Sequence, residues 1–343
     1  MKQILQRASI ASVLVVAASI AGSRANDQTA PLPSGWRVGH AAPASSTAAT
    51  AVILWPSDSV PFESESRVMI VSPPEPRFVA LSGKAHHLAF SPSGAHLIVH
   101  HEGPDGPKAT LIVVSSGAIA WTKGDPGRRA LQFVFATTGR TIAAVPRRSE
   151  WGAAGDTIEV FNLDGSIRRR IRLETTFTDV VIPDDGSTAV VALSRSLMSL
   201  RFGSTIETEW SRDFPHPEEP FIELRSLGGG RTVLRQASGY WKLLDADGTI
   251  LYRFDPSALD EKDPARSLVD YSNYEPVPVP LPDRILLFNG TTDALLLNPS
   301  TGALSSYPLN LAVPTGFKRI GEIEASKIVF SSSTEILIRS LRF

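Results

Sequence analysis

A turn of the form hydrophobic–x–x–x–Gly, followed each time by a run of apolar residues, recurs along this chain about every 45 residues. The first copy is Phe90-Ser91-Pro92-Ser93-Gly94, leading into Ala95-His96-Leu97-Ile98-Val99. Phe135-Ala136-Thr137-Thr138-Gly139 and Ile182-Pro183-Asp184-Asp185-Gly186 repeat it, each before a further apolar run, and fainter copies end at Gly230, Arg284 and Lys327. Proline at the second turn position and glycine at the end suit a type I turn closed by a left-handed residue. Short apolar runs joined by such turns, at a period of roughly 40–45 residues, signal a β-propeller.

A second set of turns runs in register with the first. Ser115-Ser116-Gly117, Leu163-Asp164-Gly165, Phe202-Gly203, Asp245-Ala246-Asp247-Gly248 and Pro299-Ser300-Thr301-Gly302 mark a later hairpin in successive repeats. Each repeat therefore reads as four strands, a to d, with tight a–b and c–d turns. In the first clear repeat these are Ala85–Phe90, Ala95–His101, Thr110–Val114 and Ala118–Thr122. Units begin near residues 85, 130, 175, 220, 274 and 317, and Ala51–Trp55, Arg67–Val71 and Arg77–Leu81 supply three strands of one more. The expected fold is an all-β propeller of seven four-stranded blades over 51–343. Six is the alternative if residues 51–81 complete the last blade. Pairing of an N-terminal strand with the final blade would close the ring and protect both edges, and Trp36–His40 is the expected closing strand.

The N-terminus reads as a targeting segment. Lys2 and Arg7 precede an apolar stretch from Ala8 to Gly22, and Ser23-Arg24-Ala25 offers small residues for cleavage after Ala25. The stretch is shorter than the roughly 20 residues of a spanning helix. Residues 1–25 are thus expected to be a signal peptide, leaving no membrane span after cleavage. The Ala/Ser/Thr/Pro-rich segment 26–50 reads as a flexible lead-in with a possible short strand. The chain has no cysteine, which excludes disulfides, thiolate ligands, a cysteine nucleophile and a lipoprotein anchor. Lys plus Arg number 34 against 35 for Asp plus Glu, so no charge field argues for nucleic acid. The expected location is periplasmic or secreted.

The Phe90–Gly94 turn and its echoes resemble the WD40/YVTN class of bacterial propeller repeats over roughly residues 51–343. The hairpins Leu244–Tyr252 and Leu297–Leu304 are similar to quinoprotein-type repeats. The resemblance implies a binding scaffold more often than an enzyme.

Long connections all fall at the b–c and d–a end of the blades: Glu102–Lys108, Arg147–Gly155, Ser211–Pro220 and Pro256–Asn273. Long loops on a rigid scaffold are where binding resides. Arg147, Arg148 and Trp151 have the composition of an interface hot spot. His216 lies in one d–a loop, and Asp260 belongs to a charged d–a insertion flanked by Tyr271 and Tyr274. These seven residues are the candidate partner face.

Five of the seven histidines, His86, His87, His96, His100 and His101, crowd into one hairpin. Strand alternation places the members of each adjacent pair on opposite faces, which leaves His87 and His101 as candidate ligands of a transition metal. No other cofactor is expected. Arg168-Arg169-Arg170 reads as charge protection of an outer strand, with Arg168 and Arg170 on one face and Arg169 on the other.

The chain holds no Gly-x-Ser-x-Gly elbow, P-loop or His-Glu-x-x-His motif. Its inner strands are poor in carboxylates. The reading is an exported, non-catalytic, monomeric propeller that binds a protein or small extracytoplasmic ligand. The alternative is a lactonase-like or quinoprotein-like enzyme with a site at the channel mouth.

Overall fold

Every regular element among the described residues is a β-strand. The computed structural model describes residues 27–340 apart from 45, 59–64, 73–74, 104, 125–130, 137, 147–156, 173–178, 183–186, 194–195, 203–205, 215–220, 229–230, 237–240, 255–274, 279–284, 289–293, 299–300, 302, 308–314 and 325–326.

The strands form seven four-stranded antiparallel sheets, numbered here from the N-terminus. After β1 (Gln28–Pro31), sheet 1 comprises β2 (Trp36–Pro43), β3 (Thr50–Pro56), β4 (Ser66–Val71) and β5 (Arg77–Leu81). Sheet 2 is β6 (Ala85–Phe90), β7 (His96–Gly103), β8 (Gly106–Val113) and β9 (Ala118–Gly124). Sheet 3 is β10 (Leu131–Phe135), β11 (Thr141–Pro146), β12 (Thr157–Asn162) and β13 (Ile167–Arg172). Sheet 4 is β14 (Asp179–Val181), β15 (Thr188–Ala192), β16 (Ser196–Phe202) and β17 (Ile206–Asp213). Sheet 5 is β18 (Phe221–Gly228), β19 (Arg231–Gln236), β20 (Trp241–Leu244) and β21 (Ile250–Phe254). Sheet 6 is β22 (Glu275–Pro278), β23 (Ile285–Phe288), β24 (Ala294–Leu297) and β25 (Leu304–Tyr307). Sheet 7 is β26 (Lys318–Glu324), β27 (Lys327–Ser331) and β28 (Glu335–Ser340), completed by β1.

The apolar runs are continuous because the middle strands are buried on both faces. Alternation then divides each run between two cores. In β3, Ala51 and Ile53 join the core shared with sheet 2, while Val52 and Leu54 join the core shared with sheet 7. In β7, Leu97 and Val99 face sheet 1 and Ile98 faces sheet 3. In β15, Ala189 and Val191 face sheet 3 and Val190 and Ala192 face sheet 5. Outer strands β9 and β17 are mostly exposed, and β17 is mostly polar or charged. On β13, Arg168 and Arg170 are exposed, Arg170 bonding Glu159 at 2.7 Å, whereas Arg169 turns the other way over the Phe202 ring of sheet 4.

The recurring turn interlocks neighbouring sheets. The Ser91 amide donates to His96 O at 2.9 Å and the Ala136 amide to Thr141 O at 3.0 Å. Gly94 and Gly139 both sit at φ +68°, in the left-handed region. A Cβ on Gly94 would lie 2.7 Å from Thr47 Oγ1 in the turn of sheet 1, and one on Gly139 would lie 3.2 Å from Pro92 Cδ in the turn of sheet 2. Glycine therefore serves both the backbone conformation and the close approach of the preceding turn.

Three sequence expectations are corrected. First, the segment 26–50 contains two strands and a turn. The Ala44 amide donates to Ala49 O at 2.9 Å, reproducing the a–b turn with Thr47 where the later copies have glycine. Second, Trp36–Pro43 is the first strand of sheet 1, paired with β3, and Gln28–Pro31 is the strand that pairs with β28. Third, Glu102–Lys108 is not a long loop. β7 and β8 pair through Glu102–Pro107 to Gly103–Gly106, where Gly106 takes a positive φ of +113° that a tight hairpin requires.

Candidate functional site

The b–c and d–a end of sheets 1 and 2 gathers two groups of side chains. The first lies on the inner strands. Counting back from the a–b turn, the fourth residue pair is His40–Ile53 in sheet 1, His87–His100 in sheet 2 and Gln132–Val145 in sheet 3, and Asp179–Ala192 holds the corresponding place in sheet 4. At this position His40 and His87 meet across sheets 1 and 2. The His40 and His87 rings are 5.7 Å apart, and those of His87 and His100 are 5.4 Å apart. The Phe133 amide of sheet 3 donates to His100 Nε2 at 3.1 Å. Likewise the Leu224 amide of sheet 5 donates to Asp179 Oδ2 at 2.7 Å, while Val180 donates to Oδ1 at 2.8 Å. Side chains of one sheet thus satisfy first-strand amides of the next, which would otherwise be costly to bury.

Strict alternation would separate His86 from His87. A β-bulge between Ala85 and His87 overrides it. Both rings lie near His100, at 6.3 Å for His86 and 5.4 Å for His87. The same bulge recurs in β2 between Val38 and His40.

His101 has a different role from the one expected. It is 1% exposed. Its Nδ1 lies 3.0 Å from Ser82 O, which can only accept, so Nδ1 carries the proton. Nε2 then accepts from the Thr110 hydroxyl at 2.8 Å, and Thr110 Oγ1 accepts from Thr122 at 2.9 Å. Burial pushes the imidazole below its usual pKa, opposed by the Ser82 bond. With both nitrogens engaged, His101 is a core hydrogen-bonding residue, and His87 is brought to His40 and His100 instead. No group of three or more His, Cys, Asp or Glu among the described residues is arranged to hold a metal ion.

The second group is aromatic and cationic. Trp55, at the end of β3, is fixed by its indole N–H donating to Ala85 O at 2.9 Å. It also packs onto the β2 bulge, where a Cβ on Gly39 would lie 2.6 Å from the ring. Arg37 stands over this ring at 5.4 Å and Lys84 at 5.0 Å, while Arg67 stands over Trp36 at 4.5 Å. Lys84 is held by the short connection from β5 to β6. There the Glu102 amide donates to Lys84 O at 2.9 Å, and Gly83 (φ +97°) lies so close to Glu102 O that no Cβ fits. Trp36, Arg37, Trp55, Arg67 and Lys84 were not singled out from the sequence. The available signal was the adjacent pair Trp36-Arg37, the same composition noted at Arg147, Arg148 and Trp151. Those three residues, with His216, Asp260, Tyr271 and Tyr274, lie outside the described residues.

No protein-family model matches the sequence, and no curated protein matches it. Solved structures do. The Cps50 (Swd1) β-propeller domain of Myceliophteria thermophila aligns with a TM-score of 0.57 at 11% identity, covering 91% of this chain and 98% of its own. The chain has a WD40-like β-propeller fold. An uncharacterised protein of Listeria monocytogenes aligns with a TM-score of 0.54 at 9% identity, covering 88% and 90%. The WD40 β-propeller domain of Doa1 aligns with a TM-score of 0.50 at 12% identity, covering 91% and 96%. At these identities the propeller relatives share the fold alone. No helix among the described residues is long and apolar enough to cross a membrane.

Proposed function

We propose that this WD40-like propeller is an exported, non-catalytic scaffold that binds a protein partner through the b–c and d–a end of its blades. The observation that carries the reading is Trp55, a partly buried ring pinned by its hydrogen bond to Ala85 and flanked by Arg37 and Lys84. Tryptophan and arginine on a rigid frame are the residues that dominate protein interfaces. The seven sheets are taken as seven blades of one closed ring. Three contacts support closure: β1 pairs with β28, β2 packs against β26 and β27, and the Lys327 ammonium donates to Ala44 O at 3.1 Å and Thr47 O at 2.5 Å. Export rests on Lys2, Arg7 and the apolar run 8–22 ahead of Ala25. Arg147, Arg148, Trp151, His216, Asp260, Tyr271 and Tyr274, on connections that the sequence assigns to the b–c and d–a end, are proposed as further partner contacts, and the mature protein is taken as a monomer.

The test is affinity capture from envelope extract. Wild type is compared with a variant carrying Arg147→Ala and Arg148→Ala and a Gly/Ser replacement of residues 257–273. Loss of a discrete partner in the variant supports the reading. Identical recovery by both proteins removes these loops from the interface. An N-terminal sequence of the mature protein that does not begin at Asn26 removes the assigned cleavage point.

A further inference from the structure

We infer that the b–c and d–a rim of sheet 1 docks an acidic, extended protein segment, with Arg37 and Arg67 each gripping one of its carboxylates. The inference rests on the scaffold reading and names the chemistry of the partner.

Both guanidiniums are exposed and already oriented. Arg37 lies over Trp55 and Arg67 over Trp36, and among the described residues neither forms an ion pair. Cation–π attraction holds each guanidinium near its ring while N–H donors stay available to a carboxylate. Trp55 is itself fixed by Ala85 O and by the bulge at Gly39, so little side-chain entropy remains to be lost on binding. Lys84 adds a third cation over the Trp55 ring. Among the described acids at this end, Asp58, Glu65 and Glu102 are exposed, Glu335 is half-buried and Asp105 pairs with Lys108, and none of them pairs with either arginine.

Spacing selects an extended partner. Arg37 is paired with Trp55, and Arg67 is paired with Leu54, so the two arginines rise from opposite faces of sheet 1 on strands separated by β3. Two strand spacings plus the passage between faces is on the order of 10–15 Å, which three to five residues of extended chain at ~3.3 Å each would span. A strand crossing the rim can therefore place one carboxylate on each arginine. The net charge of −1, which falls to −4 once Lys2, Arg7 and Arg24 leave with the signal segment, argues against a broad anion-collecting field and leaves recognition to these local pairs.

The probe is a labelled twelve-residue peptide alternating Glu and Thr, followed by fluorescence anisotropy with the mature protein at low salt. Its twin alternates Gln and Thr. The expected result is binding of the Glu peptide, at least tenfold weaker binding of the twin, and severalfold losses for Arg37→Gln and Arg67→Gln at unchanged thermal midpoint. Equal binding of both peptides, no binding of the Glu peptide, or full binding by both variants overturns the inference. Preferential binding to phosphatidylglycerol vesicles, with the peptide unable to compete, overturns it as well by making the occupant a lipid surface. A protein that ignores the peptide yet loses its envelope partner when residues 257–273 are replaced leaves the scaffold reading intact and removes only this step.

Discussion

Gly94→Ala should destabilise the protein by more than a left-handed backbone alone accounts for. At φ +68°, an alanine costs roughly 1 kcal/mol relative to glycine. Its Cβ would also fall 2.7 Å from Thr47 Oγ1 and 2.8 Å from Thr47 Cγ2, in the turn of the neighbouring sheet. Relieving that overlap costs about 1–3 kcal/mol by analogy with overpacking in cores. The sum is about 2–4 kcal/mol. Gly35 provides the control, because it has φ +80° but nothing within 4 Å of the place a methyl group would occupy. Gly35→Ala should therefore cost only about 1 kcal/mol. Guanidinium unfolding followed by tryptophan emission measures both. Combining Gly94→Ala with Thr47→Ala should return the steric part, giving a coupling of about 1–3 kcal/mol in a double-mutant cycle. If Gly94→Ala costs no more than Gly35→Ala, or if Thr47→Ala restores nothing, the recurring glycine is not there to let turns of adjacent sheets interlock.

Burial lowers the pKa of His101 and of His40, so the unfolded chain binds more protons than the folded one once pH falls below the ordinary histidine value of 6.5. Stability is then full above that value and declines as pH drops towards the lowered pKa values; thermal midpoints from pH 8 to 5 should fall, with a shallower decline in His101→Gln. Asp179→Ala removes the acceptor for the Leu224 amide and should cost about 2 kcal/mol, with faster hydrogen exchange at Leu224. Lys327→Met removes the donor to the Ala44 and Thr47 carbonyls and should cost about 1–3 kcal/mol. Limited proteolysis of that variant should cut first near the junction of sheets 1 and 7.

The propeller was legible because its turns use glycine. Gly94, Gly139, Gly117, Gly165 and Gly248 all take positive φ, and only glycine adopts that conformation freely. Where the same turn is made with Thr47, the pattern disappears and Ala44–Ala49 reads as linker. The strand Gln28–Pro31 was equally hidden. It is four residues long and only Ala30 is buried, so no alternation announces it.

Period-two reasoning correctly set Arg169 apart from Arg170, while a bulge leaves Arg168 without a register partner. It failed at His86 because a bulge adds one residue to β6, a feature set by pairing with β7 rather than by local sequence. The aromatic–cation group was missed for a related reason. Trp36, Trp55, Arg67 and Lys84 are far apart along the chain, and only the return of β3, β4 and the β5–β6 connection to one end brings them together.

The central claim is that this end of the molecule, and not the opposite one, meets a partner. Placing a photo-reactive benzophenone residue at Lys84 and, separately, at Ser116 in the exposed c–d turn tests it directly. Irradiation of cells expressing the full chain should give a discrete higher-mass adduct from position 84 and none from position 116. Equal adducts from both positions, an adduct from 116 alone, or none from 84 would contradict the account.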